Sequence, residues 1–391
     1  MATTKATPPL LKDLNERTVL ETIRGSAPIS RAQISRRVGI SKPTVSLALQ
    51  SLLDAGLVRE TTHDPGRPGY GAVYFEPVAE AALVLGLDLG AHFLRGAVCD
   101  LRGAIRARQD VEIAGADAPT ALDAVAALRS SLGEASGFRT DLLDGVVMGV
   151  PGVVEADTER IELATNIPGL EGRPLGAELH RDLRVAVSLE NDVNLAAVGE
   201  RWAGIARGVD DFAFLSVGTG MGMGLVLGGE LHRGRHGAAG EVDWALAGLS
   251  EEFDPSAEGV AALAARLAAE SSLRTSLTAP YDARDIFAAA RSADPLARKI
   301  VEEAARRIAA HIAPVAAVAD PELVVLGGGL GANGDLLLDP VRALLRDWMP
   351  YPPRVEISSL GESAVLMGAL ATGLQSALDN VFENRPTALR V

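Results

Sequence analysis

Residues 81–100, AALVLGLDLGAHFLRGAVCD, set an apolar run of strand length, Ala81 to Leu89, against a carboxylate at Asp88 and a glycine at Gly90. A second strand over Leu94 to Cys99 and a turn at Asp100 to Gly103 follow. The same grammar returns in residues 212–231, FAFLSVGTGMGMGLVLGGEL. Here a strand over Phe212 to Val217 leads into the glycine-rich Gly218 to Gly224, then Leu225 to Leu227 and a turn at Gly228-Gly229. A strand, glycine turn, strand unit used twice predicts a duplicated α/β fold with a cleft between its halves. Glycine turns let backbone N–H groups approach phosphate oxygens. Gly90 in one half and Gly218, Gly220 and Gly222 in the other are therefore placed to clamp a nucleotide, with Asp88 holding a metal through water. Tight hairpins and close strand packing ask for the same glycines, so both readings stand.

Between the two units, Val185 to Leu189 reads as a strand running into Glu190-Asn191-Asp192-Val193-Asn194, and Leu195 to Trp202 as a helix. Polar residues gathered at the C-terminal end of a strand line ligand clefts. Asn191 and Asp192 are suited to neighbouring sugar hydroxyls, and Asp192 to taking a proton from a hydroxyl that attacks a phosphate. The same two residues are equally good helix caps. Ala-rich runs at Ala257 to Glu270 and Pro295 to Val318, and a late stretch from Glu362 to Leu378, read as scaffold helices.

Upstream of this large unit the chain changes character. Residues 1–75 carry 10 Lys+Arg against 6 Asp+Glu, whereas the whole chain of 391 residues is at −14. Positive charge is thus concentrated where a nucleic-acid contact needs it. Leu11, Leu14, Val19, Leu20 and Ile23 predict a first helix between Leu10 and Gly25. Ser30 with Gln33 has the form of a capping box, Ile34 and Val38 pair at i, i+4, and Gly39 closes a short second helix. Ser41 caps a third, whose first turn tolerates Pro43 and whose Val45, Leu49, Leu52 and Leu53 form the buried stripe. Two short helices joined at a glycine are the layout that seats a recognition helix in the major groove. Leu57 to Thr62, a turn-rich His63 to Gly69, and Ala72 to Phe75 read as a β-hairpin wing with Arg67 at its tip. The candidate DNA contacts are Arg31, Lys42, Pro43, Thr44, Ser46 and Arg67. The expected organisation is a winged helix-turn-helix over residues 1–78 and a ligand-sensing, oligomerising domain over 79–391. The apolar stretch Ala81 to Leu101 is interrupted by Asp88, His92, Arg95 and Asp100, which excludes a membrane helix. No secretory run and a single cysteine, Cys99, point to the cytoplasm.

Taken together, the ordered strings resemble the ROK family, named for repressors, open reading frames and kinases. They are the N-terminal winged helix, LGLDLGAH (85–92), GVVMGVPGVV (145–154), TNIPGLEGRPL (165–175), ENDVNLAAVGE (190–200), SVGTGMGMGLVLGGEL (216–231), HGAAGE (236–241) and VVLGGGLGANGDLLLDPVR (324–342). The resemblance implies a two-lobed, actin-like ATPase (ribonuclease H-like) α/β fold. It places sugar on Asn166, Asn191, Asp192 and Glu241, and by alignment on Glu258, with Asp192 as general base in the kinases. It implies further that family members with a winged helix are repressors or related regulators that respond to sugars, commonly as dimers or tetramers.

Three departures from the family pattern shape the expectation. The first phosphate loop, Asp-x-Gly-Gly-Thr in the family, is Asp88-Leu89-Gly90-Ala91-His92 here, so a Cβ and an imidazole stand where backbone and hydroxyl would meet phosphate. The Gly-Glu-x-Gly-His string becomes Gly240-Glu241-Val242-Asp243-Trp244, with tryptophan in place of the histidine that binds zinc and sugar. The cysteine-rich loop is missing, since Leu249 to Ala261 contains no cysteine. His232 and His236 lack the other donors a tetrahedral zinc requires, so neither zinc nor any other cofactor is expected. The reading is a sugar-responsive regulator, a repressor whose hold on a double-stranded operator changes with a small carbohydrate or sugar phosphate, assembled as a homodimer or homotetramer away from membranes. No catalytic residue is expected. The alternatives are an ATP-dependent carbohydrate kinase that also binds DNA, with Asp192 as its base, and a ROK regulator that has lost its sugar response.

Overall fold

The structure is a computed structural model that describes residues 8–62, 73–113, 115, 117–137, 143–155, 158, 160–164, 167–246 and 250–383. The chain opens with α1 (Pro8–Arg24), β1 (Ile29–Ser30), α2 (Arg31–Val38), α3 (Lys42–Asp54), β2 (Val58–Thr61) and β3 (Tyr74–Pro77). The three strands form an antiparallel sheet in the order β1-β3-β2. Local chemistry sets each boundary. The Ser30 N–H donates to Gln33 Oε1 at 2.9 Å, Gly39 ends α2 at φ 70°, and Ser41 Oγ accepts from the Thr44 N–H at the start of α3. Val19, Leu20, Ile23, Ile34, Val45, Leu49 and Leu52 are buried together, whereas Leu53 is only half-buried. Leu11 and Leu14, expected on the buried face of α1, are exposed.

The first lobe contains β4 (Leu83–Leu89), β5 (Phe93–Asp100), β6 (Ile105–Glu112), α4 (Ala118–Ser136), β7 (Gly145–Val150), the small hairpin β8 (Val153–Val154) and β9 (Ile161–Glu162), α5 (Leu175–Leu183), β10 (Val187–Asn191) and α6 (Asp192–Ala203). The second contains β11 (Phe212–Val217), β12 (Met221–Leu227), β13 (Glu230–Leu231), α7 (Ser250–Phe253), α8 (Ala257–Glu270), α9 (Ala283–Arg291), α10 (Pro295–Ala319), β14 (Leu323–Gly327), α11 (Gly328–Gly331), α12 (Gly334–Trp348) and β15 (Arg354–Ile357), and the last helix is α13 (Ala364–Glu383). The two large sheets run β6-β5-β4-β7-β10 and β13-β12-β11-β14-β15. In each, an antiparallel three-stranded meander is extended by two parallel strands, so the predicted duplication is a duplication of topology.

Both faces of the first sheet are covered, which is why β4 reads as an apolar run interrupted only by Asp88 near its end. Leu85, Leu87 and Leu89 pack toward α4 and α5, while Val84 joins a cluster with Leu366, Leu370 and Leu374 of α13. On the second sheet, Phe212 and Phe214 pack with Ala196 and Ala197 of α6. The helices α6 and α13 therefore lie between the sheets and cross each other. A Cβ on Gly199 would lie 2.2 Å from Ala364 O, and one on Gly368 would lie 1.8 Å from Leu195 O. Only glycines permit that approach.

The winged helix does not hang from a linker. Glu76 and Pro77 are the end of β3, with Glu76 paired to Arg59 at 2.7 Å, and a 3-10 turn at Ala79–Ala81 leads straight into β4. One hydrophobic cluster runs from Val19, Leu20 and Ile23 through Phe75, Val84 and Cys99 to Leu374, Leu378 and Phe382. Arg17 pairs with Asp379 and lies over the Phe382 ring, and the Arg24 guanidinium donates to Leu101 O at 2.7 Å. The head is bolted to α13 and to the edge of the first lobe. Among the described residues, no helix is long and apolar enough to cross a membrane.

Candidate functional site

The strand ends that carry the polar residues converge on a cleft of about 690 Å³ between the lobes. Asp88 and Gly90 from the end of β4, Asp192 from the first turn of α6, Gly218 and Thr219 from the β11–β12 turn, and Gly328 and Gly329 after β14 all line it. Asn191 is the N-cap of α6: its Oδ1 accepts from the Asn194 N–H at 3.0 Å and its Nδ2 donates to Gly152 O at 2.9 Å. That capping turns Asp192, half-buried, into the cleft, where its Oδ1 accepts from the Val193 N–H at 2.8 Å. Burial, followed by the nearby charge of Asp88, pushes the Asp192 carboxyl up to about 7, and Glu241 adds to the effect. Asn191 and Asp192 thus sit together at the start of α6, and the half-buried Glu241, which follows β13 of the second lobe, is near enough for its charge to be felt at Asp192. Glu190 next to Asn191 is buried and ion-paired to Arg233 at 2.6 Å, which ties the start of α6 to the glycine-rich loop after β13.

Several expected site residues fall elsewhere. Glu258 is exposed on α8, one residue past Ala257, which lines the cleft. Gly222 lies within β12 and not in a phosphate turn: a Cβ there would meet Val193 Cγ2 at 3.0 Å, so its role is to let α6 approach the sheet. The turn proper is Gly218 to Gly220, closed by the Gly218 N–H donating to Gly220 O at 2.9 Å. Asn166 and Arg67, and the Trp244 side chain, lie outside the described residues.

The first phosphate turn holds a feature that sequence reading missed. Arg95 stands opposite Asp88 in the β4–β5 register, and its guanidinium donates to Asp88 Oδ2 at 3.2 Å and to Glu362 Oε2 at 3.2 Å. Asp110 is 3.7 Å away, and the ring of Phe93 is stacked on the cation. Counting back across the hairpin from Gly90 would have paired the two. Burial pushes Asp88 up to about 6 against the pull of Arg95. The carboxylate that would hold a nucleotide's metal through water is paired with a guanidinium, and Ala91 lines the cleft beside it. The single cysteine, Cys99, is buried in β5, and among the described residues no three His, Cys, Asp or Glu side chains are grouped to hold an ion.

On the head, Arg31, Lys42 and Pro43 are exposed. Thr44 and Ser46, expected to face outward, are half-buried with hydroxyls engaged locally: Ser46 Oγ donates to Lys42 O at 2.8 Å, and Thr44 Oγ1 lies 2.8 Å from Ser41 Oγ. The residue that stands out from α3 is Leu47.

Fold and cleft together define a two-lobed, actin-like ATPase domain that carries a winged helix-turn-helix on its first lobe. The chain belongs to the ROK family, whose pattern matches residues 84–375, and residues 12–59 match the winged helix-turn-helix DNA-binding family. It is 26% identical over 392 residues to a xylose repressor from Caldicellulosiruptor bescii, covering 94% of this chain and 97% of that protein. It is 32% identical over 255 residues to a glucokinase from Halalkalibacterium halodurans, covering 59% of this chain and 76% of the kinase. The crystal structure of a ROK family transcriptional regulator, a homolog of the E. coli MLC protein, superposes with a TM-score of 0.78 at 23% identity, over 95% of this chain and 98% of that one. A ROK family glucokinase from Streptomyces griseus, in complex with glucose and AMPPNP, superposes with a TM-score of 0.62 at 27% identity, over 75% of this chain and all of the kinase.

Proposed function

We propose that this protein is a sugar-responsive transcriptional repressor of the cytoplasm, acting as a homo-oligomer whose grip on operator DNA changes when a small carbohydrate or sugar phosphate closes the cleft between its lobes. The observation that carries this reading is the continuity of packing from cleft to head. Asp192 begins α6, α6 crosses α13 at Gly199 and Gly368, and α13 shares its hydrophobic core with α1 and β3 of the winged helix. A ligand that draws Asn191 and Asp192 toward Glu241 of the opposite lobe shifts α6 against α13, and the head moves with α13. In an oligomer this changes the spacing of two recognition helices, and the coupling equals the ligand's differential affinity for the two arrangements. The named xylose repressor relative, similar along nearly its whole length, supports the same reading.

Asp192 stands where a general base would serve a sugar hydroxyl, and its carboxyl, held near 7, is suited to accepting a proton. The related glucokinase gives that second reading its weight. Against it stands the Asp88–Arg95 pair, and the proposal is that Asp192 binds sugar without catalysing transfer.

The test is titration of the full-length protein onto duplex DNA from its own upstream region at fixed salt, with a panel of sugars and sugar phosphates. Release by one of them supports the repressor reading, and sugar-dependent ATP consumption that Asp192→Asn abolishes would replace it with the kinase.

A further inference from the structure

The outward face of α3 has a chemistry different from the one its polar residues advertise. Ser46 and Thr44 spend their hydroxyl contacts inside the helix, on Lys42 O and Ser41 Oγ. Leu47, by contrast, is 74% exposed in the middle of the helix. Pro43, also exposed, lies one turn before it at i−4, so the two form a short apolar ridge along the helix. Gln50, one turn further at i+3, is exposed but donates to Asp54 at 2.8 Å. Arg31 and Arg36 of α2 and Lys42 at the start of α3 are exposed and cationic, on a head whose net charge opposes that of the rest of the chain. An apolar ridge on a cationic head is complementary to one class of surface, a polyanion whose groove floor offers apolar groups. In the major groove of DNA, the apolar group available is the 5-methyl of thymine.

We propose that Leu47 is a specificity-determining residue of the operator complex, reading an A·T pair through van der Waals contact with the thymine 5-methyl group, with Pro43 closing the contact on one side. This rests on the DNA-binding reading above and adds to it the base that the helix selects. Lys42 and the arginines supply the sequence-independent attraction to phosphate, and the ridge supplies the discrimination.

The test separates the two claims. Full-length protein is used to enrich binding sites from a pool of random duplexes, and each thymine of the enriched site is then replaced singly by deoxyuridine, which removes the methyl group and keeps every donor and acceptor. For the wild type, at least one position per half-site is expected to lose about fourfold in affinity, the worth of one buried methyl-sized group at ~0.8 kcal/mol on a scale of ~1.4 kcal/mol per tenfold. Leu47→Ala, an exposed substitution that leaves the thermal unfolding of the protein unchanged, is expected to abolish that difference while still binding. The proposal is overturned if no uracil weakens the wild type, or if Leu47→Ala keeps the same thymine-over-uracil preference at every position. Failure to enrich any site overturns the DNA-binding reading itself and the proposal with it.

Discussion

Replacing Gly368 by alanine adds one methyl group where there is no room for it. The new Cβ would stand 1.8 Å from the carbonyl oxygen of Leu195, and backbone cannot turn aside as a side chain can, so α13 must retreat from α6 by more than an ångström. Relief of the glycine's helix penalty returns about 1 kcal/mol, while overpacking a tight core costs about 1–3 kcal/mol and the parted helices lose further contacts along their crossing. A net loss of about 2 kcal/mol is expected. Gly373, five residues along the same helix, is the control: its Cβ would meet only the side chains of Val84 and Val147 at 3.3 Å, so Gly373→Ala should be within about 1 kcal/mol of neutral or slightly stabilising. Urea unfolding of the two variants reads the difference directly. The same samples, titrated with operator and the active sugar, read the coupling, which Gly368→Ala should weaken more than it weakens either ligand alone. A Gly368→Ala protein as stable as Gly373→Ala, with full sugar response, would refute the claim that this crossing transmits closure.

Other outcomes follow from the same geometry. Ser41→Ala removes the cap of α3 and should cost about 1 kcal/mol in unfolding free energy while weakening DNA binding at every sequence alike, measured by urea titration and by anisotropy. Asp192 keeps its proton in the folded state up to about pH 7, whereas the unfolded chain releases it near 3.8. Its contribution is therefore fully present below about pH 4, declines across pH 4–7 and is flat above. Asp192→Asn should match the wild type near pH 4 and be more stable by about 1–2 kcal/mol at pH 8, a fraction of the ~4 kcal/mol equivalent of the full shift because the carboxylate faces an open cleft. Arg95→Ala strands the Asp88 carboxylate, so the group should titrate above its present value of about 6 in carboxyl NMR, with a stability loss of about 2–3 kcal/mol at pH 8 that shrinks toward pH 5.

The duplicated topology, the capped helices of the head and the cleft position of Asp192 were legible because each rests on local chemistry: a strand followed by a glycine turn, Ser30 with Gln33, an Asn-Asp pair at a strand end. What escaped depends on contacts between segments distant in sequence. Gly222 looks like a phosphate-turn glycine until α6 is seen lying on β12. In the sequence Arg95 is only a charge unfit for a membrane, since its meaning comes from Asp88 across the hairpin and from Glu362, 267 residues away in the chain. The ridge at Leu47 was hidden for a different reason: helical periodicity marks which face is polar, but not which hydroxyls are already bonded to their own backbone.

The central claim is that cleft and head share one equilibrium, and linkage makes it measurable from the side that has no DNA readout. Calorimetric titration of the active sugar into the protein, free and then saturated with operator at the same salt, gives two affinities. The account predicts that operator lowers the sugar affinity by the same factor by which sugar lowers the operator affinity, a factor in the range of roughly 5–150 typical of allosteric coupling. A sugar affinity unchanged by operator would contradict it, leaving the cleft and the winged helix as two sites that happen to share a chain.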